Sequence, residues 1–151
     1  MTYLLDTNIL LVYLRNSSMA ETIDSLFQPL SYPNIPVVSV VRLGEINSIA
    51  LRNQWGANRI VLLEKILNQF LIADVNVATI IQKYAEIDAY SQGKLAGKPL
   101  GKSSRNMGKN DLWIAATTSV LDATLLTLDH DFDHLSDEFL NIATIENAEG
   151  I

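Results

Sequence analysis

Asp6, Glu45, Asp111 and Asp129 are acids set where the apolar pattern of the chain changes. Asp6 closes the run TYLL (2–5) and precedes the apolar helix start ILLVYL (9–14). Asp111 follows Asn110 at the head of a helical pattern carrying Leu112, Ile114, Ala115, Ala116, Val120 and Leu121. Asp129 follows the short run ATLLT (123–127). Glu45 lies on the helical row Val41–Glu45–Ile49, where an acid is costly unless it meets a cation or a metal. Four carboxylates brought together repel one another strongly. A divalent cation offsets that repulsion, and oxygen-only ligands favour Mg²⁺ or Mn²⁺ over zinc.

The elements that must position these acids alternate in type. TYLL, the start of VVSVVRLGEINSIAL (37–51), IADV (72–75), ATLLT and NIATI (141–145) read as strands. Helices are predicted from Ile9, over Ala20–Leu30, through the second half of 37–51, over Ile60–Leu71, over Val77–Tyr90, and from Asn110 to Leu121. Asn110 is the expected N-cap of the last helix, with Asp111 in its first turn. SYPNIP (31–36) is a turn by its two prolines, and DHDFDHL (129–135) a turn or short helix. This alternation predicts a three-layer α/β/α sandwich with a mostly parallel central sheet, one domain across residues 1–151. Ligands of such sheets gather beyond the carboxyl ends of the strands, where helix N-termini also point. That places Asp6, Asp111 and Asp129 at one sheet edge, with Glu45 entering from a flanking helix.

Composition narrows the classes further. The absence of cysteine among 151 residues excludes disulfides, thiolate catalysis and cysteine-based zinc sites, and fits a reducing cytosol. The N-terminal apolar run is broken by Asp6, Thr7 and Asn8, so neither a signal peptide nor a membrane span is expected there. The net charge of −6 is unevenly spread. Lys94, Lys98, Lys102, Arg105 and Lys109 lie between Ala89 and Asn110 without an acid, leaving 6 basic and 17 acidic residues elsewhere. A basic segment inside an acidic domain is either a solvated surface or an electrostatic footprint for nucleic acid.

LLDTNIL, SVVRLGEI, KNDLWIAATT and TLDHDF, in this order and spacing, resemble the PIN-domain family. The length and apolar filler are similar to the toxin subunits of the VapBC toxin–antitoxin class. The resemblance implies a Mg²⁺-dependent endoribonuclease, with Mn²⁺ able to substitute. It places Asp6, Glu45, Asp111 and Asp129 on the family's acidic quartet, with Asp131 as the alternative fourth acid. Asn8 and Thr127 fall on its polar support positions, beside Asn110. The expected reaction is in-line hydrolysis of RNA, of tRNA or another structured RNA, to 5′-phosphate and 3′-hydroxyl ends. The resemblance further implies a cytoplasmic homodimer held inactive by a cognate antitoxin. That partner would wrap an apolar groove, for which Leu26, Phe27 and Leu30 are candidates, and present a basic residue to the acids. Lys98, Lys102, Arg105 and Lys109 are the expected RNA contacts, brought close to Asp111 by the chain itself.

Other readings compete. A non-toxin PIN nuclease of RNA processing and a non-catalytic α/β interaction module are the alternatives. A haloacid-dehalogenase-type phosphatase would need an aspartate at the position of Asn8, and a receiver domain has no place for the NDLWIAA helix. His130 and His134 are read as surface residues, and Trp113 as packing rather than a stacking platform.

Overall fold

The computed structural model describes residues 1–146. Its elements run β1 (Thr2–Leu5), α1 (Thr7–Arg15), α2 (Ser18–Leu26), β2 (Ile35–Ser39), α3 (Val40–Arg52), α4 (Ala57–Leu67), β3 (Leu71–Ala73), α5 (Ala78–Ser91), α6 (Lys109–Val120), β4 (Thr124–Thr127) and β5 (Asn141–Thr144). A 3-10 turn, Asp133–Leu135, precedes β5. The five strands are all parallel, in the order β3-β2-β1-β4-β5. This is the α/β/α sandwich expected from the alternation of elements.

Each central strand is buried on both faces, which a parallel sheet covered by helices requires. Tyr3 and Leu5 of β1, Val38 of β2 and Leu126 of β4 pack with Ile9, Leu10, Ile46, Leu63 and Ile66 on one side. Leu4, Val37 and Leu125 pack with Ile80, Ile87, Leu112, Ile114 and Ala115 on the other. The period of two thus splits one strand between two cores. α1 and α4 cover the first face and α5 and α6 the second.

The chain leaves β1 toward β2 and leaves β4 toward β5, in opposite directions across the sheet. β1 and β4 are hydrogen-bonded neighbours, in register from Tyr3↔Thr124 to Leu5↔Leu126. The crevice beyond their carboxyl ends is therefore a topological switch point. Asp6 and Asp129 follow the two strands that flank it.

Two of the boundaries that differ from the sequence pattern have a plain local cause. α2 ends at Leu26 instead of reaching Leu30. Gln28 takes a left-handed φ of 49° and Pro29 follows it, and proline cannot continue a helix whose preceding residue has left the helical region. β3 begins at Leu71, a residue that the apolar pattern assigns to the preceding helix, because α4 stops at Leu67 and Gln69 and Phe70 close a turn.

Candidate active site

Asp6 is the residue between β1 and α1, and it caps the helix: Oδ1 accepts the Thr7 N–H at 2.9 Å. Its side chain is buried, with the residue 2% exposed. Oδ2 accepts the hydroxyl of Thr127, the last residue of β4, at 2.7 Å. The same Thr127 oxygen accepts the Asp129 N–H at 3.1 Å. Asn8 makes a second tie, its Oδ1 accepting the Leu128 N–H at 3.3 Å. Thr127 and Asn8 therefore lock the turn that carries Asp129 onto the start of α1.

The centre of the site is a residue the sequence reading passed over. Arg42, in the first turn of α3, is 5% exposed. Its Nη1 donates to both oxygens of Glu45, at 2.8 and 2.9 Å. Nη2 donates to Asp111 Oδ1 at 2.9 Å. Nε lies 2.7 Å from Asp6 Oδ1, a close charge contact without the alignment of a hydrogen bond. Glu45 also accepts the Thr7 hydroxyl at 3.2 Å and the Asn110 amide at 2.8 Å. Three acids from three elements thus close around one guanidinium. The signal available in the sequence was the i,i+3 spacing of Arg42 and Glu45 on one helix.

The charges respond as this packing dictates. Burial pushes the Asp6 carboxyl above its ordinary value, against the pull of Arg42, Thr127 and the Thr7 N–H. Burial opposes the charge on Arg42 too, but Asp6, Asp111 and Glu45 outweigh it and hold the guanidinium protonated. Asp129 is exposed on the same edge, and its carboxylate has no hydrogen-bond partner among the described residues. Its pKa is raised, first by partial burial and then by Asp6, Asp131 and Asp111. Asp131 is exposed as well, and shares with Asp111 the wall of a cleft of about 380 Å³.

Asn110 is not the N-cap of α6. Gly108 holds that position with extended backbone, so Asn110 lies inside the first turn and its side chain reaches across to Glu45. The donors fit a hard divalent cation in kind, since all are carboxylate oxygens. As they stand, the guanidinium lies between Asp6, Glu45 and Asp111, and among the described residues no three acids or histidines converge as a metal site.

The basic segment divides. Lys102, Arg105 and Lys109 are exposed. Arg105 lines the 380 Å³ cleft with Asp111, and Lys109 lines an adjoining cleft of about 390 Å³ with Arg42, Glu45 and Asn110. A third, of about 680 Å³, continues past Glu45 and Asn110 to Trp113 and Arg52. Shared walls make these three clefts one trough across the acids. Lys98 departs from expectation: its ammonium pairs with Glu138 at 3.3 Å and lies 4.6 Å over the Phe139 ring, just before β5. That is the end of the sheet opposite Asp129. The segment is also tied down, by buried Leu100 and by the Arg105 N–H donating to Ser91 O at 2.7 Å.

His130 is on the surface, paired with Asp133 and Glu146. His134 is buried instead, its Nε2 2.8 Å from the Ser91 hydroxyl. Burial, then Arg105 and Lys102, lower its pKa, so the ring is a neutral strut under the basic segment. Phe27 packs edge-on to Tyr3 and Leu30 joins the same core, so of the three groove candidates only Leu26, at 66% exposure, stands free. Trp113 packs on Tyr84 with ring centroids 4.4 Å apart. No helix among the described residues is long and apolar enough to cross a membrane.

The sequence model of the PIN domain matches residues 3–138, so the chain belongs to the PIN domain family. Solved structures agree in fold. VapBC2 from Rickettsia felis, bound to a promoter DNA fragment, is similar at 22% identity and a TM-score of 0.73, over 95% of this chain and 98% of that one. VapBC-1 from nontypeable Haemophilus influenzae is similar at 25% identity and a TM-score of 0.66, with the same coverage. FitAcB from Neisseria gonorrhoeae is similar at 23% identity and a TM-score of 0.68, over 99% of both chains. No curated protein matches the chain.

Two measurements check the electrostatics. Arg42→Ala removes the only side-chain cation in contact with a buried acid among the described residues. In metal-free buffer it should cost about 3–5 kcal/mol in urea unfolding; a cost below about 1 kcal/mol would mean that Thr127 and Thr7 compensate Asp6 unaided. Asp129 holds its proton to higher pH folded than unfolded, so its ionisation costs stability as pH rises through the folded value. Asp129→Asn should therefore melt no lower than the parent at neutral pH without metal, the two converging as pH falls below 3.8, the ordinary value. A parent that melts higher at neutral pH would contradict this sign.

Proposed function

We propose that this chain is a divalent-metal-dependent endoribonuclease and the toxin of a toxin–antitoxin pair. The observation that carries the reading is the closing of Asp6, Glu45 and Asp111 around Arg42 at the switch point between β1 and β4, with Asp129 following β4 on the same edge, in a PIN-domain chain. VapBC toxin–antitoxin complexes among its structural neighbours support the toxin role and a cognate antitoxin. The same class expects a homodimer working in the cytoplasm.

Asp6, Asp111, Asp129 and Glu45 would hold Mg²⁺ or Mn²⁺, with Asp131 the alternative to Asp129. The cation supplies Lewis-acid stabilisation of charge on the phosphodiester oxygens. The chain's own residues do the rest. Thr127 and the Thr7 N–H fix the Asp6 rotamer, and Asn110 orients Glu45. Asn8 holds the Asp129 turn in place. The trough gives an RNA strand a path over the acids, and Lys102, Arg105 and Lys109 offset the repulsion between that strand and an acidic domain. Attack by water, not by the ribose 2′-hydroxyl, leaves 5′-phosphate and 3′-hydroxyl ends. The substrate class is tRNA or another structured RNA.

Mapping new 5′ ends in total RNA after induced expression tests the reading. Asp6→Asn and Asp111→Asn should each lower metal-dependent cleavage by on the order of a hundredfold or more while the circular dichroism spectrum is kept. Cleavage surviving in highly purified Asp6→Asn protein would overturn the assignment.

A paired replacement, Lys102→Ala with Arg105→Ala, should weaken RNA binding and flatten its log–log salt dependence by about 1.4, roughly 0.7 for each single-strand phosphate contact. Lys98→Ala should leave that slope unchanged, since its ammonium is engaged at the far end of the sheet. Equal effects from both proteins would return Lys98 to the RNA path.

A further inference from the structure

We infer that Arg42 is a built-in competitor for the divalent cation: its guanidinium occupies the cation position of the acid site, and metal binds by displacing it. The inference rests on the metal-dependent reading above. It starts from the placement of the guanidinium, which touches Asp6, Glu45 and Asp111 at 2.7–2.9 Å. These are three of the four acids to which the metal is assigned.

Two cations cannot share that centre. Nη1 engages both Glu45 oxygens, and the remaining hydrogen bonds to Glu45 come from Thr7 and Asn110. Asp6 gives one oxygen to Thr127 and the other to Thr7 and Arg42. A metal arriving at Asp111 and Asp129 therefore finds Asp6 and Glu45 already taken. It gains them only if the guanidinium leaves. The approach of a second, doubly charged cation also repels Arg42, which favours that departure.

An outlet lies beside it. The 390 Å³ cleft is lined by Arg42 itself together with Glu45, Gly108, Lys109, Asn110 and Asp111. Because Arg42 itself lines that cleft, a swing of its stem into it would leave α3 intact. The alternative, a purely structural Arg42, asks for a cation that simply balances buried acid. The fork geometry then has no bearing on metal affinity, and the two roles separate in a titration.

The inference predicts that the metal-competent arrangement is a minor state of the parent. When that state is about 10% populated or less, apparent metal affinity falls about tenfold or more. Mn²⁺ binding to metal-free parent and Arg42→Ala proteins, followed by electron paramagnetic resonance, should be at least about tenfold tighter in the variant. Millimolar guanidinium chloride, far below denaturing levels, should weaken Mn²⁺ binding to Arg42→Ala and leave the parent unaffected. In the parent, saturating Mg²⁺ should shift the Arg42 Nε–H nuclear resonance and speed its exchange with solvent.

Equal or weaker Mn²⁺ binding by Arg42→Ala, with the parent binding normally, overturns the inference and leaves the metal reading standing. Absence of Mn²⁺ binding in both proteins overturns the metal reading, and the inference with it. Where Arg42→Ala does not fold, the parent decides: Mg²⁺ binding that leaves the Arg42 resonance and its exchange unchanged overturns the inference.

Discussion

A carboxylate buried at the end of a central strand has to be compensated, and the compensation of Asp6 organises everything around it. Burial disfavours its charge, so every partner it has is a donor or a cation. Thr7 belongs to α1, Thr127 to β4 and Arg42 to α3. One side chain therefore fastens two strands and two helices at the point where the connections from neighbouring strands diverge. Arg42 then draws in Glu45 and Asp111, so that α6 is fixed to the same centre. Removing the cation would not loosen one contact. It would set three acids against one another in a partly dry crevice.

The fold explains why this crevice exists at all. β1 and β4 are neighbours whose chains depart to opposite sides, so no connection covers the ground beyond their ends. The strands themselves give the place rigidity, because Leu4, Leu5, Leu125 and Leu126 are fully buried between two helical layers. Polar groups that follow such strands inherit fixed positions without needing long loops. Thr127 illustrates the economy: its hydroxyl donates to Asp6 and accepts from the Asp129 backbone, which aligns two acids through one oxygen.

Much of this was legible in the sequence, for a definite reason. Asp6, Asp111 and Asp129 each stand at a change of hydrophobic pattern, and a parallel α/β sheet turns such changes into one spatial edge. Glu45 was legible as an acid on an apolar row that needed a cation. The identity of the cation was missed, because a long basic side chain is ordinarily read as exposed and Arg42 is not. Its i,i+3 relation to Glu45 was visible, but its reach to Asp6 and Asp111 depends on strand order, which local pattern does not encode. His134 was misread for the same reason: nothing nearby in sequence announces Ser91. Lys98 looked like its basic neighbours until the chain direction between Gly97 and Gly101, both at positive φ, sent it to Glu138.

The charge pattern that remains is what a nuclease of an acidic domain requires. Four acids and one buried arginine leave the centre strongly negative, which would repel the RNA strand of the proposed function at long range. Lys102, Arg105 and Lys109 stand in the segment that leads into Asp111, along the trough and outside the acid cluster. In the proposed function their attraction to phosphates would act on the flanks of the strand, whereas the acids would act through a cation at its middle. Arg42 separates those two tasks. While it fills the centre, the three acids are balanced by a side chain of the protein itself, so the fold would not depend on the ion that the proposed chemistry requires. The contacts that hold Arg42 among the acids would also set the affinity for the proposed metal, since a cation that enters would first have to outcompete a guanidinium held by three carboxylates.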